Sequence, residues 1–294
     1  AGRFCLRNAL CANTVRWPAL TPPVPTVTSR SVRAGNGSGT MAKKEGSSLL
    51  ETVKTVFYAL VIALLFRTIL FQPFWIPSGS MKSTLLCGDY LFISKYAYGY
   101  SQASCPTILG VNLCPFLSGR IFASEPERGD VIVFKHPTTG EDYIKRLVGM
   151  PGETIQVIDG VLHIDGEAVP MRDNGSFLDP ARDNCVGSGR SRRDVLLESH
   201  FETLPGGRRH VTLNTGDNYP FDNTPAYEVP PGHFFMMGDH RDNSLDSRDM
   251  SRRGVGFVPF ESLVGRAEVI AVSAGGPFWA LWQWRFGRTL NRIE

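Results

Sequence analysis

The chain has 294 residues, 42% of them hydrophobic and 20% charged, enough for one large domain or a domain with a sizeable insertion. A formal net charge of +3, with no Lys/Arg-rich block, excludes the electrostatic footprint of a nucleic-acid-binding protein. The six His are scattered and no Cys/His cluster has metal-ligand spacing, so neither a metal nor another cofactor is expected.

Residues 1–40 contain Arg, Ser, Thr and Pro and no acidic residue. Two readings stand: a transit-peptide composition, or translation upstream of a start at Met41-Ala42-Lys43-Lys44. In either case residues 1–47 are expected to be disordered and to carry no chemistry. From Ser48 the composition changes. Val56 to Phe66 is eleven residues without a charge, and extension past Lys54 and Arg67 gives an apolar stretch from Leu49 to Phe71. Apolar residues occur all round it, so a transmembrane helix is expected over residues 48–71. Lys43, Lys44 and Lys54 precede or open it. The positive-inside rule then puts the N-terminus in the cytoplasm and the larger part across the membrane.

The stretch Gln72-Pro73-Phe74-Trp75-Ile76-Pro77-Ser78-Gly79-Ser80-Met81 follows. Proline fixes φ and glycine frees it, so this backbone is shaped rather than periodic. It is either a linker or a turn that presents the Ser80 hydroxyl beside a groove. Short strand patterns come next: 89–94, 129–134, 142–148, and 154–158 with 161–164 around Asp159-Gly160, a hairpin signal. Residues 165–225 are rich in Gly, Asn, Asp and Arg and are expected to form an inserted, loop-rich β cap closed by Pro230-Pro231-Gly232. Strand patterns resume at 233–238 and 264–272. The expected fold is mainly β, an antiparallel sheet or barrel built from residues 72–164 and 226–294, with the cap between them. The tail from Phe278 to Phe286 concentrates aromatics that suit either a membrane surface or ordinary core packing. Cys105 and Cys114 flank an eight-residue loop, as a disulfide or as two buried thiols; Cys87 and Cys185 stand alone.

A serine hydroxyl needs a base to become a nucleophile. Asp239-His240 adjoins a polar run, but Lys145 is the better candidate. It lies in a strand pattern between Tyr143-Ile144 and Leu147-Val148, with Arg146 alternating to the opposite face. Burial there would favour the neutral amine. The plain alternative is a surface lysine with a solvated head. A third segment, Gly238 to Arg248, alternates acids with Arg, Asn and Ser and can form a self-satisfied polar network.

Pro-Ser-Gly-Ser-Met, Tyr-Ile-Lys-Arg and Gly-Asp-x-Arg-Asp-Asn-Ser-x-Asp-Ser-Arg, in this order after one apolar helix, resemble bacterial type I signal peptidase in its alphaproteobacterial form. The resemblance covers roughly residues 50–160 and 225–272. It implies a serine endopeptidase in which Ser80 is the nucleophile and Lys145 its general base. Ser78 and the Ser80 N–H would form the oxyanion hole. Ser244 would orient the Lys145 amine, Asp246 and Arg248 would pair, and Asp239 would support the same loop. Ile76, Pro77, Met81, Leu85, Tyr143 and Ile144 would line pockets for the small side chains of an A-x-A cleavage site. The implied partners are preprotein signal peptides, the lipid bilayer of the bacterial inner membrane and the export translocon. Ser83 stands where the family commonly has proline, and His240 where asparagine is common. The rival readings are another serine–lysine protease, such as a self-cleaving repressor, and a non-enzymatic membrane-tethered β module that binds peptides.

Overall fold

The computed structural model describes residues 48–105, 107–108, 111–112, 117, 119–180, 185, 194–277 and 279–293. Residues 1–47 and Cys114 lie outside them, and so do the expectations placed there. Helix α1 (Ser48–Ile69) is followed by strands β1 (Phe71–Trp75), β2 (Asp89–Ser94), β3 (Thr107–Ile108), β4 (Val111–Asn112), β5 (Val131–Lys135), β6 (Asp142–Gly149), β7 (Thr154–Ile158), β8 (Val161–Ile164) and β9 (Glu167–Ala168). The remaining strands are β10 (Met171–Asp179), β11 (Val195–Thr203), β12 (Arg209–Asn214), β13 (Tyr227–Glu228), β14 (His233–Met237), β15 (Val258–Pro259) and β16 (Leu263–Ser273).

Seven strands form an open antiparallel sheet in the order β1-β2-β16-β5-β6-β14-β15. A four-stranded sheet runs β13-β7-β8-β9, and a three-stranded one β10-β11-β12. The hairpin β7–β8 turns on Asp159 and Gly160, at φ 48° and 75°. Two consecutive positive φ values are what a two-residue turn needs to match strand twist, and Asp-Gly tolerates them. Strand β1 was unforeseen in the proline-bearing stretch. It lies at a sheet edge, paired only with β2, where Pro73 forfeits no ladder bond that an interior strand would need.

Within the β cap expected over residues 165–225, β10, β11 and β12 form a regular three-stranded sheet, with more strand than its loop-rich composition suggested. Most of β10 is exposed, so no alternation of apolar and polar residues advertised it.

The expected transmembrane helix needs correction. The helix is there, with most of its described side chains exposed. Its uncharged run from Val56 to Phe66, however, rises only ~17 Å, against a hydrocarbon core of ~30 Å. Glu51, Lys54 and Arg67 bound it, and no helix among the described residues is long and apolar enough to cross a membrane.

Burial organises the core on both faces of the large sheet. One cluster joins Ile76, Met81 and Leu85 to Leu91, Ile93, Val131, Val133, Ile144 and Ile270. Another joins Ile132, Phe134, Leu147, Phe234, Met236 and Leu263. The segment after Ser80 is therefore anchored by three fully buried apolar side chains, which fixes the backbone that carries the hydroxyl. Cys87 and Cys185, solitary in the sequence, form a disulfide 98 residues apart. Cys105 is also disulfide-bonded.

Candidate active site

Ser80 sits in the turn between β1 and β2, and Lys145 in the middle of β6. The turn is closed by Lys82 N–H donating to Gly79 O (3.1 Å) and Leu85 N–H donating to Met81 O (2.8 Å). From the other side, His240 N–H donates to Ser80 O (3.0 Å), so the loop after β14 holds the serine's own carbonyl. Lys145 Nζ lies 2.7 Å from Ser80 Oγ and 3.1 Å from Ile144 O. The amine also sits 5.5 Å from the centre of the Tyr143 ring.

Lys145 is only 3% exposed. Desolvation is the main reason its pKa falls from 10.5 to about 8; Asp246 and Asp239 oppose that fall, and Arg248 adds to it. Its hydrogen-bond partners are the Ser80 hydroxyl and the Ile144 carbonyl, neither of them a carboxylate. A partly neutral amine against a serine hydroxyl is a competent proton acceptor at neutral pH.

The remaining charges around the dyad are paired. Asp246 accepts from Arg248 Nε and Nη2 at 2.9 Å each and from Gly238 N–H at 3.0 Å. Burial alone would raise its pKa; Arg248 overrides this and holds it below the usual carboxylate range. Asp239 accepts from Arg146 Nε and Nη2 at 2.8 Å each and from Thr84 Oγ1 at 2.5 Å. Its pKa is likewise depressed, with Arg146 outweighing burial. Arg146 faces away from the Lys145 amine and reaches Gly129 O as well. A self-satisfied network of this kind keeps Lys145 free of a bonded counter-ion while surrounding it with order.

A groove of about 540 Å³ opens on the dyad. Ser78, Ser80, Pro77, Tyr143, Ile144, Lys145 and Ser244 line it, together with Phe74, Asp142, Asp242, Asn243 and Leu245, which sequence reasoning did not single out. Phe74 and Leu245 carry no motif signal beyond their proximity to Ser80 and Ser244. Ile76, Met81 and Leu85 are not among the lining residues; each is 0% exposed in the core. Ser244 also differs from expectation. Its buried Oγ makes no hydrogen bond to the Lys145 amine, which is directed instead to Ser80 and the Ile144 carbonyl. Among the described residues no group of His, Cys, Asp and Glu side chains is arranged to hold a metal.

Gly238 marks how tightly the loop meets Ser80. A Cβ there would overlap Ser244 and lie 2.6 Å from Ser80 O. Gly238→Ala should therefore displace the Ser80 carbonyl. The expected result is a loss of turnover of roughly a hundredfold and of stability by ~1–3 kcal/mol, read by steady-state kinetics and urea unfolding.

A family model described as signal peptidase, peptidase S26, matches residues 49–272. The chain belongs to this family. It is 36% identical over 247 residues to a signal peptidase I of Rickettsia typhi, covering 80% of this chain and 86% of that protein. It is 38% identical over 229 residues to a signal peptidase I of Rickettsia felis, covering 76% and 79% respectively. A crystal structure of a signal peptidase I from Enterococcus faecalis is 26% identical with a TM-score of 0.27, covering 49% of this chain and 97% of that one. Within the matched residues 49–272 lie both Ser80 and Lys145, whose side chains meet at 2.7 Å.

Proposed function

We propose that this chain is a serine endopeptidase that removes N-terminal signal peptides from preproteins. The observation that carries the reading is the 2.7 Å contact between the Lys145 amine and the Ser80 hydroxyl in a groove open to substrate. Ser80 Oγ attacks the scissile carbonyl while its proton passes to Lys145 Nζ. The Ser80 N–H and the Ser78 hydroxyl stabilise the tetrahedral oxyanion. The ammonium then protonates the leaving amine, and an acyl-enzyme remains on Ser80. Lys145, neutral again, activates a water that hydrolyses it.

Strand register supports a substrate bound as an added strand. Strand β5 pairs with β6 over Asp142–Arg146, but β14 pairs with β6 only from Arg146 onward. The stretch Asp142–Lys145 thus has one strand partner and one side turned to the groove. An extended peptide laid there would gain main-chain hydrogen bonds. Pro77, Tyr143 and Ile144 would then bound shallow sites for small side chains before the cleaved bond. Residues 165–225 act in this reading as the cap over a catalytic body of residues 72–164 and 226–294.

The attachment to a membrane is part of the proposal. Leu49, Leu50, Phe57, Tyr58, Leu60 and Ile62 of α1 are each more than half exposed, and lipid is the cover that such a surface needs. The basic residues Lys43 and Lys44 would add attraction to an anionic leaflet, and attachment there would keep the enzyme near the export machinery. Flotation with inner-membrane vesicles should fail when the chain is truncated before Leu70.

The direct test is cleavage of a preprotein with an A-x-A-like site by the purified full chain in detergent. The new N-terminus is read by mass spectrometry, and an unaltered preprotein would refute the reading. The pH profile follows from Lys145. The amine is active when neutral, so kcat/KM should climb as pH rises through about 8 and level off above it. Between pH 6 and pH 9 the rise should be on the order of a hundredfold. A profile flat across that range would show that this amine is not the base.

A further inference from the structure

The segment after the nucleophile is tied to the three-stranded sheet at three points that play no part in the mechanism above. Lys82 Nζ lies 2.6 and 2.8 Å from the two carboxylate oxygens of Asp179, at the end of β10. Ser83 Oγ donates to Val211 O in β12 at 3.2 Å. Cys87 is bonded to Cys185, between β10 and β11. Neither Lys82 nor Asp179 lines the groove. Lys82 is nevertheless 4% exposed, and a lysine so buried needs a strong reason for its place.

The reason lies in what its stem touches. A Cβ on Gly79 would be 2.9 Å from Lys82 Cε, 3.3 Å from Cδ and 3.4 Å from Cys185 Sγ. The space beside the residue before the nucleophile is thus filled by the Lys82 stem and the disulfide. The Gly79–Ser80 peptide carries the Ser80 N–H, the backbone donor of the oxyanion hole in the mechanism above. On its other side this backbone is held by His240 N–H at Ser80 O. The peptide lies between two supports, and the Lys82–Asp179 pair braces one of them.

We infer that Lys82 and Asp179 are positioning residues: by bracing the Gly79–Ser80 peptide they set the aim of the oxyanion donor. The sheet β10–β12 is then a working part of the catalytic apparatus as well as its cover. The inference rests on the proteolytic reading of the Ser80–Lys145 dyad. It explains why a part-buried ion pair 97 residues apart in sequence stands beside the nucleophile's turn yet outside the groove. A donor displaced by a fraction of an ångström weakens the bond that forms in the transition state and leaves ground-state binding nearly intact. The signature is therefore a loss in kcat without a matching rise in KM.

The experiment measures kcat and KM of the full chain on a preprotein for Lys82→Met, Asp179→Asn and the exchanged pair Lys82→Asp with Asp179→Lys. The single variants should lose about ten- to a hundredfold in kcat, with KM within about twofold. Their acid limb should stay near pH 8, because Lys145 is untouched. The exchanged pair should recover most of the loss. Wild-type kcat in a single variant, or an equal loss in the exchanged pair, overturns the inference. If Lys82→Met does not fold, Lys82→Arg keeps the charge and moves the pairing nitrogen. A lowered kcat at unchanged KM in Lys82→Arg supports the inference, and an unchanged kcat overturns it. Ser80→Ala in the same assay separates the two levels. Turnover by Ser80→Ala would sink the proteolytic reading itself; an inactive Ser80→Ala beside a fully active Lys82→Met would sink the positioning role alone.

Discussion

Lys145→Met is expected to abolish turnover without loss of stability, and Ser80→Ala to do the same. The two groups act as one unit, so removal of either should cost about as much as removal of both. Precedent for such units puts the loss at ~10⁴-fold or more in kcat, or at least ~5.5 kcal/mol of transition-state stabilisation. Stability should move the other way in Lys145→Met. Burial depresses the amine's pKa to about 8, so the unfolded chain holds that proton more tightly than the native one. The native state bears this penalty in full below pH 8, and it vanishes above the unfolded value near 10.5. A thioether of similar length removes the penalty. Lys145→Met should then unfold at higher urea concentration than the parent at pH 7, with the difference fading toward pH 11. A structural lysine would behave in the opposite way: its loss would lower stability and spare turnover. The paired measurement of kcat and urea midpoint therefore decides between catalysis and architecture at this position.

What could be read without coordinates was whatever is local in sequence. The turn signals around Ser80, the strand bearing Lys145 and the Asp159–Gly160 hairpin depend on neighbours within a few residues. Their physics is carried by φ restrictions and by alternation. The face of Arg146 followed from alternation too, but its partner did not. Asp239 lies 93 residues away, and a lone sequence holds no trace of that pairing. The same holds for Cys87 with Cys185 and for Lys82 with Asp179. Strand β10 escaped notice because exposure removes the hydrophobic period by which strands are recognised. Ile76, Met81 and Leu85 show the converse. Their apolar character is equally suited to a substrate pocket or to a core, and only packing distinguishes the two. For α1 the apolar composition was legible, whereas its adequacy for a bilayer turned on where Glu51, Lys54 and Arg67 interrupt it.

Breaking the Arg146–Asp239 pair should produce the largest loss of stability available near the site. Both side chains are essentially inaccessible, at 0% and 1%, and Arg146 spends its donors on Asp239, Gly129 O and Thr84 Oγ1. Arg146→Met leaves a carboxylate in the interior with Thr84 and the weakly placed His210 ring, 3.9 Å away, as its remaining company. Truncating one member of a buried pair costs ~3–5 kcal/mol, far more than the pair itself contributes relative to an apolar replacement. Arg146→Met with Asp239→Leu should therefore regain much of the loss, although Thr84 then lacks its acceptor. Acid response supplies a second, independent readout. In the parent, Asp239 has a depressed pKa; the stability it contributes is complete above its unfolded value and is lost as pH falls through the folded one. In Arg146→Met, burial, the leading influence that raises this group, is no longer overridden. The folded carboxyl then binds its proton more tightly than the unfolded one, so acidification toward pH 4 should partly restore the variant while it weakens the parent. Urea midpoints at pH 7 and pH 4.5 measure both slopes. Parallel slopes in the two proteins would mean that Asp239 does not depend on Arg146 for its charge.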